Sequence, residues 1–149
     1  MSEKRTADAR KADVLTALEG QGDMWLASAD ADGRPHLIAV SVWWDGNELV
    51  MATLATSRTA KNLSAGREAR LAAGTPADAI VVHARVVEIQ AAGEAPEVAT
   101  GFAKAMGWDP RQVGKGWEFF RLRPSRIQAY RGYDDIEGRD VMRNSRWLA

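Results

Sequence analysis

Residues 36–54 read HLIAVSVWWDGNELVMATL, and this stretch decides the fold class. Its two apolar runs flank the triplet Asp45-Gly46-Asn47. An Asp-Gly pair between two such runs favours a β-hairpin, because both residues tolerate the backbone conformations of a tight turn. A third apolar run, 24–28, precedes another turn sequence, DADGRP at 30–35. Residues 24–54 are therefore predicted to form a three-stranded antiparallel meander.

The strand at 36–44 has almost no polar face. A sheet with one exposed side shows polar residues at alternate positions, whereas both alternate sets in 37–44 are apolar apart from Ser41. We therefore expect cover on both sides, by a barrel interior on one and by a dimer partner or a flat apolar ligand on the other. The adjacent Trp43 and Trp44 point to opposite faces, so one of them leaves the interior. Such a tryptophan is typical of a core or an interface, and it also suits the wall of a flat aromatic cofactor.

The rest of the chain is predicted from periodicity and turn residues to add further short strands and small helices. Helices are predicted at 6–19, 57–66 and 95–107, and strands at 71–75, 79–90 and 117–131, the last interrupted by Pro124. About six strands at short spacing predict a mainly β fold, a closed antiparallel barrel. Without a repeat or a linker, residues 1–149 are expected to form one domain, with an N-terminal helix in 1–20, a barrel with inserted helices in 24–131 and a C-terminal tail in 132–149.

The composition excludes several classes of function. A chain of 149 residues suits one hydrophobic core. The absence of cysteine excludes disulfide and thiolate chemistry, and the two histidines, His36 and His83, lack ligand spacing, so no metal site is expected. Zero formal net charge argues against nucleic-acid binding. No apolar run approaches the ~20 residues of a membrane helix, and no signal segment opens the chain, so we expect a cytoplasmic protein without membrane contact.

Residues 53–63, TLATSRTAKNL, contain the strongest indication of a binding site. A strand ends here, hydroxyl residues turn the chain, and Ser57 is placed to cap a helix. The unpaired amides of a first helical turn attract anions. Arg58, Lys61 and Asn62 are spaced to share one helical face. The pattern predicts a phosphate site, and the alternative is a capped helix with a solvated basic face.

The C-terminal segment is rich in arginine. Residues 121–146 contain seven arginines against four acids. These arginines either reach an anionic ligand or form a salt-bridged surface with the acids Asp134, Asp135, Glu137 and Asp140.

In their order along the chain, these segments resemble the pyridoxamine-phosphate-oxidase-like family of flavin-binding split barrels. They look most like its actinobacterial branch, which uses FMN or the deazaflavin coenzyme F-420. The likeness runs from about residue 14 to the C-terminus and rests on DGRPH at 32–36, WWDG at 43–46, the stretch 53–63, GWDPR at 107–111, RPSRIQAYR at 123–131 and MRNSRWL at 142–148. It implies a six-stranded Greek-key split barrel, a homodimer, and two cofactor sites between the subunits.

The resemblance also implies roles for individual residues. The cofactor phosphate would be held by Ser57, Arg58, Lys61 and Asn62. The ring would lie along Val40, Ser41, Val42 and Trp43, with Thr53 at its edge. Trp108 and the segment Arg126 to Arg131, including Tyr130, would close the site from the same or the second subunit. One departure is Thr59, where the oxidases proper often have lysine. It weakens the case for pyridoxamine-phosphate oxidation, although Lys61 can replace the charge.

The leading hypothesis is a coenzyme F-420-dependent oxidoreductase that transfers a hydride to a small conjugated substrate, since extra arginines such as Arg67 and Arg70 suit that cofactor's longer anionic tail. The alternative within the family is an FMN-binding oxidase or reductase. A non-catalytic carrier of cofactor or of a flat ligand such as haem stays open, as does a dimeric barrel without cofactor. No catalytic residue is assigned: water, the cofactor, Ser41 and Tyr130 are all candidate proton donors.

Overall fold

The computed structural model describes residues 3–20 and 22–149, so residues 1 and 2 of the predicted N-terminal segment lie outside it. The strands are β1 (Asp23–Ala29), β2 (Pro35–Trp44), β3 (Leu49–Leu54), β4 (Glu68–Thr75), β5 (Asp78–Ala91), β6 (Trp117–Tyr130), β7 (Asp140–Arg143) and β8 (Arg146–Trp147). The helices are α1 (Ala7–Glu19), α2 (Arg58–Gly66), α3 (Pro96–Met106) and α4 (Pro110–Val113). None of these helices is long and apolar enough to cross a membrane.

Six strands close into a barrel. Their order is β3-β2-β1-β4-β5-β6, and β3 also pairs with β6 to complete the ring. Every pairing is antiparallel. The meander β1 to β3 followed by β4 beside β1 is a Greek key. The predicted mainly β fold, a six-stranded antiparallel barrel with small helices, is therefore confirmed.

The barrel interior is filled by alternate side chains of all six strands, as the period of a strand requires. Fully buried members include Leu26, Leu71, Val82 and Phe120. The helices α1 and α2 add Val14, Leu18, Ala60 and Leu63 to the same core. Both helices begin with a side-chain cap, from Thr6 and Ser57 respectively.

A buried ion-pair cluster fastens α1 to the segment after β6. The side chain of Asp135 is fully buried, and its carboxylate accepts hydrogen bonds from the side chains of Arg5 and Arg10. It also accepts the backbone N–H groups of Arg5 and Arg131. The guanidinium of Arg10 is 1% exposed, so this charge is matched inside the protein rather than by water.

The prediction for β2 is partly confirmed. Trp44 lies in the barrel core and Trp43 points outward, as the alternation required. The outer cover of Trp43 is α3 of the same chain, rather than a partner or a ligand, because Trp43 joins a second cluster with Ala99 and Phe102. The first half of the strand lacks this cover, and Leu37 is 63% exposed.

The long strand β6 contains the irregularity expected at Pro124. Its pairing with β5 shifts register between His83 and Ala84, which face Arg126 and Pro124. The strand continues through this bulge, so the predicted interruption is a local shift. The tail adds the hairpin of β7 and β8, whose turn residues Asn144 and Ser145 have positive φ.

Candidate functional site

The turn between β3 and α2 brings two hydroxyl groups to a helix N-terminus. Ser57 Oγ accepts the N–H of Ala60 at 3.0 Å and lies 3.0 Å from Thr53 Oγ1. The N–H of Ala55 donates to the carbonyl of Gly116 at 2.8 Å, which ties the turn to the start of β6. The remaining first-turn amides of this nine-residue helix carry partial positive charge. The turn is thus built to receive an anion.

Two cations stand beside this helix N-terminus. Arg58 and Lys61 are both exposed, and Lys61 forms no ion pair with any residue in 3–20 or 22–149. The pKa of Asp30 lies below its ordinary value, chiefly because the Arg34 backbone N–H donates to it, and the charge of Arg58 adds to this effect. Arg58 therefore lies near the β1–β2 turn. The hydroxyls, the amides and the positive charges of Lys61 and Arg58 together fit a phosphate group.

The buried face of α2 corrects one prediction. Asn62 is buried and donates from Nδ2 to Ser28 Oγ at 3.1 Å, so it faces the barrel and does not share the exposed face of Arg58 and Lys61. Thr59 is 1% exposed, and its hydroxyl has no hydrogen-bond partner among the described residues. A side chain at position 59 therefore packs inward. Lys61 is the lysine of this helix that can reach an anion.

The predicted ring-binding residues of β2 divide between the two faces of the strand. Val40 and Val42 point into the core, so their side chains cannot line a site outside the barrel. Ser41 points outward, where its Oγ accepts the Nε1–H of Trp108 at 3.3 Å and donates to Asp23 at 3.2 Å. Trp108 thus closes over Ser41 within one chain, beside the outward ring of Trp43.

The predicted closing residues at the end of β6 lie far from the turn in the same chain. Thr53 pairs with Glu118, and Tyr130 follows twelve residues later along β6. At the rise of a strand, the path along β6 from Glu118 is about 26 Å to Arg126 and about 40 Å to Tyr130. In one chain, Arg126 and Tyr130 therefore belong to the half of β6 that is away from the phosphate turn, and Arg131 directly follows that half.

The arginine-rich tail is mostly ion-paired. Arg126 donates to both oxygens of Asp140 at 3.0 Å, and these bonds hold the pKa of Asp140 well below its ordinary value. Arg143 shares the same carboxylate. Arg131 pairs with Asp13 and Asp78. For these residues the structure favours the salt-bridged alternative.

A groove of about 400 Å³ adjoins the phosphate turn at Ala55. Its aromatic wall is Trp117, which stacks edge-to-face on Trp108 with ring centroids 5.3 Å apart. Lys115 lines it and has no acidic partner in the part of the chain that the structure describes. Sequence reasoning did not identify this groove, because it forms where four segments meet: Ala55, Ala91–Gly93, Arg111 and Gly114–Glu118.

A second feature missed from the sequence is a row of basic side chains across the outer face of the sheet. Arg70 pairs with His83 across β4 and β5, and His83 pairs with Arg126 across β5 and β6. Arg70 and His83 lie between buried neighbours, and Arg126 precedes the buried Ile127, so all three point outward. The alternation along each strand is readable in the sequence, whereas the register that aligns the three strands is not. Among the described residues, no group of three or more acids and histidines is placed to hold a metal ion.

Many solved structures resemble this chain, and three of them show the extent of the likeness. An F420 reductase superposes with a TM-score of 0.64 at 18% identity, over 75% of this chain and 93% of that chain. General Stress Protein 26 from Bacillus anthracis gives 0.62 at 18% identity, over 80% and 92%. ChuZ from Campylobacter jejuni gives 0.74 at 10% identity, over 99% of this chain and 64% of that chain. At these identities the likeness establishes the fold alone.

Sequence comparison defines the family. No curated protein sequence matches this chain. The family model described as pyridoxamine 5'-phosphate oxidase matches residues 11–131, which cover the barrel from α1 to the end of β6. This match spans most of the chain and agrees with the Greek-key barrel and the capped turn before α2. The chain therefore belongs to the pyridoxamine 5'-phosphate oxidase family.

Proposed function

We propose that this protein is an oxidoreductase that uses the deazaflavin coenzyme F-420 to transfer a hydride to a small conjugated substrate. The observation that carries the proposal is the phosphate-shaped turn, in which Thr53, Ser57 and the α2 amides lie beside the un-neutralised Lys61. The family includes flavin-dependent oxidoreductases, and one structural neighbour is an F420 reductase. The bound cofactor supplies the hydride, and the protein supplies binding, orientation and exclusion of water.

The residues of the turn would contribute different interactions to a bound phosphate. The Ser57 hydroxyl oxygen is already an acceptor for Ala60, so its own proton is free to donate to a phosphate oxygen or to Thr53. Lys61 and Arg58 add charge-assisted bonds, which are about twice as strong as neutral ones. The aromatic wall at Trp117 and Trp108 offers an apolar surface close to the same turn. These features support binding of a flat cofactor that ends in a phosphate.

FMN is the second candidate, favoured by the same turn because FMN ends in a single phosphate. The feature that favours F-420 is the adjoining groove with Lys115, since a lactyl-oligoglutamate tail brings several carboxylates beyond the phosphate. Fluorescence titration of the purified protein with each cofactor tests the choice. Tight binding of F-420 alone supports the proposal. Tight binding of FMN alone would instead indicate an FMN-dependent oxidase or reductase. A protein that binds reduced cofactor but never accelerates its oxidation by an acceptor is a carrier.

We further propose that the protein is a homodimer. Trp25 and Leu37 point outward from β1 and β2 and are 55% and 63% exposed, which leaves an apolar face without cover. A second copy over this face would also supply the Tyr130 end of β6, which in one chain is the opposite end of the strand from the residues that pair with Thr53 and Leu54. Light scattering on Leu37→Asp tests this: we expect a monomer. The control is Val113→Asp, which places the same charge at an equally exposed apolar residue of α4 and should leave the dimer intact.

A further inference from the structure

A small cavity lies between the β2–β3 turn and the tail hairpin of β7 and β8. Because β3 begins just after that turn and ends at Leu54, where the phosphate turn starts, the cavity and the phosphate turn lie at opposite ends of β3. The cavity lining combines aromatic, apolar and hydrogen-bonding side chains: Trp44, Gly46, Asn47, Arg123, Pro124, Met142, Ser145 and Trp147. A site here would be separate, within one chain, from the phosphate turn of the proposed function.

The size of the cavity limits the ligand that it can hold. Its volume is about 250 Å³. Clefts for drug-sized ligands start at about 300 Å³, whereas a cavity of about 150 Å³ is enough for benzene. The rings of Trp44 and Trp147 give the cavity aromatic surface, and the buried Pro124 and Met142 add apolar surface. These dimensions and surfaces suit a single ring that carries one small polar group.

The most buried polar side-chain group at this cavity is the indole N–H of Trp44. Trp44 is 9% exposed, and its Nε1 has no hydrogen-bond acceptor in residues 3–20 and 22–149. Among the described residues, the fully enclosed side-chain N and O atoms without a partner are Arg10 Nε and Thr59 Oγ1. The Trp44 N–H therefore belongs to the small exposed part of the ring, and Trp44 lines the cavity. A buried tryptophan N–H usually has an acceptor, and a ligand in the cavity would supply it.

Arg123 is the charged side chain of the lining. It donates from Nε to Glu48 Oε2 at 2.9 Å, whereas its Nη1 and Nη2 groups have no acceptor in the part of the chain that the structure describes. Glu48 is also engaged by Arg121 at 3.6 Å. No acidic side chain of the described residues is part of the lining. The cavity therefore offers two unoccupied Nη groups of one guanidinium and no competing carboxylate.

Two neutral hydrogen-bonding side chains complete the lining. The Asn47 amide and the Ser145 hydroxyl have no hydrogen-bond partner within the described ranges 3–20 and 22–149. The backbone N–H of Ser145 donates to the Ser125 carbonyl at 2.9 Å, which fixes the tail hairpin against β6. Together with Arg123 and Trp44, these groups are mostly donors, so the matching ligand group is an acceptor.

We propose that this cavity binds a small aromatic monocarboxylic acid, with its carboxylate on Arg123 and the Trp44 N–H and its ring on the apolar lining. The planar guanidinium matches the oxygens of a carboxylate, and bonds between charged partners are the stronger ones. Arg123 is one cation, so it matches one carboxylate, and a second carboxylate on the ligand would have no counter-charge. The site extends the proposed function and does not depend on which cofactor the protein uses.

Two-dimensional ¹H–¹⁵N NMR of the indole N–H groups, with benzoate as the probe, tests the proposal without any cofactor. The chain has six tryptophans, and loss of one signal in Trp44→Phe assigns the signal of Trp44. We expect benzoate to shift the Trp44 signal in a saturable way and to leave the signal of Trp25, which lies outside the lining, unchanged. An unmoved Trp44 signal, or an equal shift at Trp25, overturns the proposal.

The role of the carboxylate is tested with altered probes. Benzamide keeps the ring and removes the charge, so it should bind at least about tenfold more weakly than benzoate. Phthalate adds a second carboxylate and should also bind more weakly. Benzamide binding as tightly as benzoate would show that the cavity does not recognise a carboxylate, and tighter binding of phthalate would rule out a monocarboxylate site.

Variants assign the binding to the cavity. Arg123→Gln should weaken benzoate binding about tenfold or more and remove its advantage over benzamide. Arg34→Gln, which changes an exposed ion-paired arginine at the β1–β2 turn, is the matched control and should bind benzoate normally. The other indole signals show whether Arg123→Gln keeps its fold, and Trp44→Phe, which removes only the N–H donor and part of the ring, should weaken benzoate binding several-fold. Full benzoate affinity in both Arg123→Gln and Trp44→Phe contradicts the site.

Discussion

The indole ring of Trp43 lies against the backbone of Gly101. A Cβ atom at position 101 would lie 3.0 Å from Cζ2 of this ring and closer still to Cη2. The absence of a side chain at Gly101 is therefore what allows α3 to settle on the outer face of β2. This contact sets how closely α3 approaches Trp43.

The first prediction follows from this contact. Gly101→Ala should lower the free energy of unfolding by about 1–3 kcal/mol, the usual effect of overpacking, even though alanine is otherwise the better helix residue. Urea denaturation measures it. Gly93→Ala is the control, because a Cβ atom there meets open space. In a Trp43→Ala background, Gly101→Ala should lose most of its effect. If Gly101→Ala lowers the free energy of unfolding equally in both backgrounds, the Trp43 ring is not the group that a side chain at position 101 would contact.

A second prediction concerns Lys61. Lys61→Ala should weaken cofactor binding by roughly 1–3 kcal/mol, the range for loss of a charge-assisted hydrogen bond. Because Lys61 is exposed, the thermal midpoint of the apoprotein should not change. Fluorescence titration measures the affinity. Lys104→Ala, which removes an exposed lysine from α3, is the matched control. Equal cofactor affinities in the two variants would show that Lys61 does not contact the phosphate.

A third prediction tests the inward direction of Thr59. Thr59→Val keeps the shape and removes a buried hydroxyl without a partner, so the protein should become more stable by up to about 1 kcal/mol. Cofactor affinity should stay the same. Thr59→Lys should destabilise the protein strongly, because it buries a charge in the barrel end. If Thr59→Lys instead tightens cofactor binding at unchanged stability, position 59 faces the phosphate.

A fourth prediction concerns acid unfolding. Burial would raise the pKa of Asp135, but hydrogen bonds from the side chain and backbone of Arg5 and the backbone of Arg131 outweigh it and lower the pKa to about 2. Since the folded value is depressed, the stabilisation is complete above the unfolded value near 3.8 and is lost as the pH falls toward 2. The amount is roughly 2 kcal/mol.

Asp135→Asn is the variant that measures this stabilisation. At pH 7 it should cost about 3–5 kcal/mol, because it leaves the buried Arg10 without a counter-charge and Arg5 with Asp13 as its remaining acidic partner. The difference from the unmodified protein should shrink between pH 4 and pH 2, as followed by urea denaturation. Asp134→Asn, at the exposed neighbour, should show neither effect. A difference that is constant with pH would show that the carboxylate does not titrate in this range.

Local chemistry in the sequence predicted the fold well. The Asp45-Gly46 turn gave the hairpin, Ser57 gave the helix cap, and alternation separated Trp43 from Trp44. Features that depend on register or on packing between distant segments could not be predicted. The prediction placed Asn62 on the wrong face of α2, because helical spacing alone does not show which side of the helix packs on the barrel. The row of Arg70, His83 and Arg126 needs the pairing of three strands, which no local pattern contains.

The cluster at Asp135 also constrains the order in which the protein can fold during its synthesis. Arg5 and Asp135 are 130 residues apart in the chain. At a synthesis rate of about 5–20 residues per second, roughly 7–26 s pass between the two. Throughout that interval Arg5 and the α1 residue Arg10 have no buried carboxylate to receive them. Arg10 of the first helix therefore meets its buried partner only after most of the chain has been made, and a ribosome-bound chain that ends before Asp135 lacks this partner.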